Sequence, residues 1–210
     1  MPWSIPAAGG AVAALSAILH LRAEYRGTRR QVYLFKPLTT VTLLLIAALA
    51  PPTRYDTAII LALIFSLAGD VFLMLPGDRF VAGLTSFLLA HAAYIFAFTS
   101  NFGQPLLLAV YAVPAAVVMA ILWPRLGRMR VPVTAYMCVI VVMAWQAAAR
   151  AMELRTAGAI LAATGGALFV VSDAVLALNR FRVRFRAAEA VIMTTYVAAQ
   201  WCIAASTHIS

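Results

Sequence analysis

Asp70 and Asp173 each lie inside a long apolar stretch, where an ionisable side chain is costly enough to be a functional candidate by default. Each stands about five residues before the arginine-rich end of its stretch, which puts both carboxyls roughly 7 Å below one membrane surface at helical rise. A carboxyl pair at matched depth can divide acid from base work, relay protons or hold a cation. Either aspartate alone could instead be an interhelical hydrogen-bond group, but the matched depth favours one shared site.

Other polar groups fall around them. Ser66 is one turn before Asp70, and Ser172 immediately precedes Asp173. Lys36 opens the second apolar stretch, the one before that of Asp70, on the same side; such a lysine either snorkels to lipid headgroups, binds a substrate phosphate or holds an aspartate ionised. His91 and Tyr94 are spaced i, i+3, and Tyr196 and Gln200 are spaced i, i+4. Each reads equally as a substrate contact or as a satisfied interhelical hydrogen bond. No Gly-x-Ser-x-Gly elbow, His-Glu-x-x-His helix or phosphate-cradling glycine loop occurs. His20 and His208 are expected near the membrane face opposite the aspartates, so neither a metal nor a cofactor is expected. Cys138 and Cys202 read as small thiols buried in apolar segments.

The elements that carry these residues are set by composition. Of 210 residues, 64% are hydrophobic and 11% charged, with a mean hydropathy of +0.94, a balance that excludes an ordinary water-soluble domain. About 20 apolar residues cross a bilayer as a helix, so the chain has room for a single all-α, polytopic transmembrane domain over 1–210 and no separate soluble one. Apolar runs predict eight spans near 5–21, 33–50, 57–75, 80–99, 105–123, 131–148, 156–178 and 187–207. Short breaks such as Pro51-Pro52, Pro76-Gly77-Asp78, Asn101-Phe102-Gly103 and Asn179-Arg180 separate them. The stretch 11–19 could pass for a secretory signal, but Arg22, Arg26, Arg29 and Arg30 follow it rather than precede it.

The formal charge of +9 comes from arginines clustered between apolar segments, which act as topology signals and headgroup contacts rather than as a nucleic-acid surface. Alternate breaks carry thirteen lysines and arginines against three in the others. That segregation supports eight spans with both termini on the non-cytoplasmic side, and the arginine and alanine richness suggests a bacterial inner membrane. A weak internal repeat accompanies it. Asp70 precedes Tyr94 by 24 residues and Asp173 precedes Tyr196 by 23, as two parallel four-helix halves would require, although chance similarity between apolar helices competes with that reading.

Several runs together resemble the YhhN-like lysoplasmalogenase family: Lys36-Pro37-Leu38-Thr39-Thr40, the run 65–74 (FSLAGDVFLM) and the run 87–94 (FLLAHAAY). In the C-terminal half, Gly166-Ala167-Leu168-Phe169 leading to Ser172-Asp173, then Thr195-Tyr196 and Gln200, resemble its second block, so the likeness covers nearly the whole chain. The resemblance implies a multi-pass enzyme that hydrolyses the vinyl ether bond of a lysophospholipid substrate to a fatty aldehyde and a glycerophospho-headgroup. Such cleavage needs protonation of an alkene carbon and attack by water, tasks that two carboxyls can divide as acid and base, in either assignment. Two other classes compete: a small four-plus-four-helix transporter using the Asp pair as a proton or cation site, and a scaffold protein, which leaves the matched aspartates unexplained.

Overall fold

Backbone groups in lipid must be satisfied within the chain, and apolar runs of this length do so as helices. The computed structural model describes residues 3–99 and 103–209, and among them every regular element is helical. Eight α-helices follow in order: α1 (Ser4–Tyr25), α2 (Arg29–Ala48), α3 (Arg54–Met74), α4 (Phe80–Phe98), α5 (Pro105–Leu126), α6 (Arg130–Leu154), α7 (Ala157–Phe181) and α8 (Ala188–Ser206). They form seven stretches long and apolar enough to cross a membrane, because α5, a 3-10 turn at Gly127–Met129 and α6 run on as one stretch, Pro105–Leu154. Ser100, Asn101 and Phe102, which include most of the expected 101–103 break, lie outside the described residues.

Local chemistry accounts for the helix ends. The Thr53 hydroxyl accepts from the Asp56 backbone N–H while the Asp56 carboxylate accepts from the Thr53 N–H, a reciprocal cap that starts α3. At the start of α7, the Thr156 hydroxyl accepts from the Ala159 N–H. Pro105 opens α5, where its missing N–H costs nothing. Gly127, at φ +51, turns the chain between α5 and α6. These two helices are antiparallel: the Trp145 indole, late in α6, donates to the Gln104 carbonyl just before α5.

The helices extend beyond the apolar runs that announce them. Lys36 therefore lies two turns inside α2 rather than opening it, and Arg150 belongs to α6, with its guanidinium 4.4 Å from the centre of the Tyr55 ring. The closest pairings are α7 with α8, α3 with α4 and α1 with α2, as short connections require. Small residues permit them. A Cβ on Gly165 would lie 2.6 Å from the Ala199 carbonyl oxygen of α8, and one on Gly69 would lie 2.6 Å from the Phe87 ring of α4. The buried core is rich in aromatics, with Phe87, His91, Tyr94, Phe169 and Tyr196 meeting mostly edge to face. Leu106, Val113 and Val131 face outward, as suits a lipid boundary. Cys202 is buried, but Cys138 is exposed on that same kind of outer face. An apolar solvent accepts a thiol on a helix exterior as readily as a core does, so hydrophobicity alone could not place it.

One end of the bundle gathers most of the positive charge. The Tyr25 hydroxyl at the end of α1 donates to the Arg186 carbonyl before α8. Arg125 at the end of α5 donates to the Arg182 carbonyl, and Arg180 at the end of α7 pairs with Asp78 before α4. These contacts bring four basic connections to a common end.

Candidate active site

Asp70 is 2% exposed and sits in α3, where three groups from two other helices surround it. Its Oδ2 accepts from the Thr40 hydroxyl of α2 at 2.6 Å and from the Tyr196 hydroxyl of α8 at 2.7 Å. The Lys36 Nζ, one turn before Thr40, lies 4.0 Å from Oδ1. A cation and two hydroxyl donors all interact best with the carboxylate form. Lys36 is thus committed to the aspartate, one of the roles open to it from sequence.

Asp173 is arranged differently. The Tyr136 hydroxyl of α6 donates to its Oδ2. His91 of α4 brings Nε2 to 4.0 Å from the same oxygen. Its Nδ1–H donates to the Phe87 carbonyl, so a neutral ring presents its Nε2 lone pair toward the carboxyl. No lysine or arginine pairs with Asp173 among the described residues.

Both aspartates line one cavity of about 370 Å³ at the basic end, together with Lys36, Ser172, Arg180, Arg184, Glu189 and Tyr196. A second cavity of about 180 Å³ is walled by apolar side chains including Leu84, Val118, Val133, Ile140 and Phe181, and its polar lining is Tyr136 and Asp173. Phe80, Phe87, Leu73, Leu176 and Asp173 belong to both cavities. Asp173 therefore stands at the seam between a polar chamber and an apolar one, while Asp70 faces the polar chamber alone.

Lys36, Asp70, Ser172, Asp173 and Tyr196 come together around the polar cavity. Ser172 also donates to the Ile192 carbonyl, tying α7 to α8. Ser66, Tyr94 and Gln200 do not line it; all three are buried among the packed helices. His91 approaches through Asp173 without lining the polar cavity. The internal repeat implies that Tyr94 would serve one aspartate as Tyr196 serves the other. Instead Tyr136, from α6, occupies that role. Sequence reading missed Tyr136 because a lone tyrosine in an apolar span carries no spacing signal. It also missed Thr40, although that residue falls one turn from Lys36.

His20 is corrected in position. It lies at the basic end with Nε2 3.5 Å from the Glu189 carboxylate, because it stands near the C-terminal end of α1, beside the arginines that follow that helix. His208 does lie at the other end, with Nε2 2.7 Å from the Ile46 carbonyl. Among the described residues, no group of three or more His, Cys, Asp or Glu side chains is placed to hold a metal ion.

Helices of membrane-spanning length and apolarity, with hydrophobic outer faces and a polar cavity confined to one end, define an integral membrane protein. The chain belongs to the YhhN family, whose model matches residues 31–207. It is 36% identical over 200 residues to the uncharacterized membrane protein YhhN of Escherichia coli O157:H7, covering 93% of this chain and 96% of that one. It is 35% identical over 159 residues to human lysoplasmalogenase TMEM86B, covering 75% of this chain and 66% of the relative. Human lysoplasmalogenase TMEM86A is 37% identical over 161 residues, covering 71% of this chain and 65% of the relative. No solved structure matches the chain.

Proposed function

We propose that this protein hydrolyses the vinyl ether bond of lysoplasmalogens, releasing a fatty aldehyde and a glycerophospho-headgroup. The observation that carries the reading is the seam at Asp173: an apolar chamber suited to an alkenyl chain adjoins a polar chamber that holds a second carboxyl. Relatives named lysoplasmalogenase support the substrate class.

The arrangement supports one division of roles. Asp173, without a lysine or arginine partner and facing the apolar chamber, is the acid; Asp70, facing Lys36, Thr40 and Tyr196, is the base. The Asp173 carboxyl protonates the alkene carbon remote from the ether oxygen, leaving an oxocarbenium ion on the carbon bonded to that oxygen. Water adds to this carbon and gives its proton to the Asp70 carboxylate. The resulting hemiacetal returns its hydroxyl proton to Asp173, while Asp70 protonates the departing sn-1 oxygen. Both carboxyls end as they began. Burial within the bundle keeps the fixed hydroxyls of Tyr136, Tyr196 and Thr40 in place through these steps, so no reorganisation of donors is needed.

Purified protein supplied with lysoplasmalogen should release free aldehyde, and a lysolipid with a saturated ether at sn-1 should remain intact. Substrate-dependent flux into vesicles with no chemical change would instead establish a transporter.

For the membrane arrangement we propose eight crossings, with α5 and α6 each spanning, as two four-helix halves α1–α4 and α5–α8 of one transmembrane domain. The basic end lies in the cytoplasm of a bacterial inner-membrane host, following the bias of cytoplasmic loops toward arginine and lysine. Both termini are then outside. A folding-dependent fluorescent reporter fused after Ser210 should stay dark, whereas an exported phosphatase fused there should be active; the reverse pattern overturns this topology.

A further inference from the structure

Arg180 closes the C-terminal end of α7 and lines the cavity shared by Asp70 and Asp173. Its Nη2 donates to both carboxylate oxygens of Asp78, each at 2.6 Å, and its guanidinium lies 4.9 Å from the centre of the Phe80 ring. Phe80 in turn meets Phe181 edge to face and belongs to both chambers. Asp78 does not line the cavity. It belongs to the exposed turn between α3 and α4, where Gly77 and Asp78 both have positive φ. Arg184, also on the cavity, has no ion-pair partner among the described residues.

We propose that Arg180 binds the phosphate of the lysolipid headgroup, and that Asp78 holds its guanidinium until the phosphate replaces it. The proposal rests on the lysolipid reading above. Charge bookkeeping at the cavity favours this arginine over Lys36. Lys36 lies beside Asp70, so moving it to a phosphate would strip a buried carboxylate of its cation. Parting Arg180 from Asp78 leaves only a well-exposed carboxylate, 67% accessible, which water resolvates. An exposed ion pair is worth little, whereas a guanidinium can meet a phosphate through two parallel charge-assisted bonds. The cation–π contact with Phe80, which lines both chambers, holds the guanidinium beside the boundary between the polar and apolar chambers. Arg184 supplies a second positive charge on the same wall.

A 1-alkyl lysophospholipid, whose saturated ether is not cleaved by vinyl ether protonation, reports binding independently of turnover. Its affinity for the detergent-solubilised full chain is compared with that of the phosphate-free 1-alkylglycerol. Arg180→Ala should weaken the phospholipid by at least tenfold and the alkylglycerol by less than twofold. Arg180→Lys should keep only part of the affinity, since lysine lacks the fork. Asp78→Asn should tighten the phospholipid by about two- to fivefold, the scale of one exposed ion pair. The exchanged pair Asp78→Arg with Arg180→Asp can restore the turn-to-helix bridge, yet it should bind the phospholipid as weakly as Arg180→Ala. Equal losses for both lipids in Arg180→Ala, or recovery in the exchanged pair, would show that the bridge is only a structural latch and overturn the proposal. Equal competition by ordinary diacyl phospholipid would assign Arg180 to bulk membrane lipid and overturn it too. Failure of the wild type to cleave lysoplasmalogen would sink the hydrolase reading while leaving these binding results to stand or fall alone.

Discussion

Asp70→Asn and Asp173→Asn should each lower lysoplasmalogen turnover by about 100- to 10,000-fold, the usual cost of removing a general acid or base. At about 1.4 kcal/mol per factor of ten, this corresponds to roughly 3 to 5 kcal/mol of lost transition-state stabilisation. The two losses have different origins. In Asp173→Asn the new amide oxygen could still accept from the Tyr136 hydroxyl, but the side chain has no acidic proton to give to carbon. In Asp70→Asn the amide oxygen could still accept from Thr40 and Tyr196, but it cannot take a proton from attacking water. Because the hydroxyl donors keep an acceptor in both variants, the helices should remain paired and thermal melting in detergent should shift little. Lys36, left beside a neutral amide in Asp70→Asn, turns toward solvent through its partly exposed stem. If either variant melts normally and retains turnover within about threefold of wild type, that aspartate is a packing residue and the two-carboxyl mechanism fails. The double variant should be scarcely slower than the worse single one, since residues that act in one proton cycle are not additive.

Isotopes follow the same mechanism atom by atom, and here the expected outcome is all or none. In deuterated water one solvent deuterium should appear on the carbon next to the aldehyde, beyond the exchange seen with aldehyde alone, because the proposed mechanism has Asp173 deliver a solvent-derived proton to that carbon. Water attack on the oxocarbenium carbon leaves the original ether oxygen on glycerol. With oxygen-labelled water the sn-1 hydroxyl should therefore be unlabelled, and label should appear in the aldehyde before it exchanges. Displacement at the glycerol carbon would put the label on the sn-1 hydroxyl instead. A chelator should leave the rate unchanged, since proton transfer from a carboxyl to carbon needs no Lewis acid. Label on glycerol, or activity lost to chelator and restored by a divalent ion, would refute proton-initiated cleavage.

The helices themselves were legible because their driving force is local. Hydrophobic run length, proline and glycine breaks and arginine clustering are all properties of short windows of sequence, and lipid admits few alternatives to a helix for such runs. Their ends were less legible. A helix continues past the apolar run into the headgroup layer, which places Lys36 two turns inside α2. Asp70 and Asp173 stood out because burying an ionisable group in an apolar segment is costly. Residue type and depth alone flagged them, without knowledge of their neighbours.

The surroundings of each carboxyl depended on how the helices pack. Tyr136 reaches Asp173 from α6 and Tyr196 reaches Asp70 from α8, pairings separated by 37 and 126 residues that no local spacing encodes. The expected symmetry between Tyr94 and Tyr196 breaks for the same reason, since equivalent positions in two similar helices can face different neighbours once the helices rotate into contact. Tertiary packing also made two cavities meet at Asp173 and left Cys138 on the outside. By itself the sequence determined that the chain is a helical membrane protein with two carboxyls at one end, because solvation energies act residue by residue. Only the tertiary structure decided which hydroxyls and cations those carboxyls face, because those energies depend on distances between helices far apart in the chain.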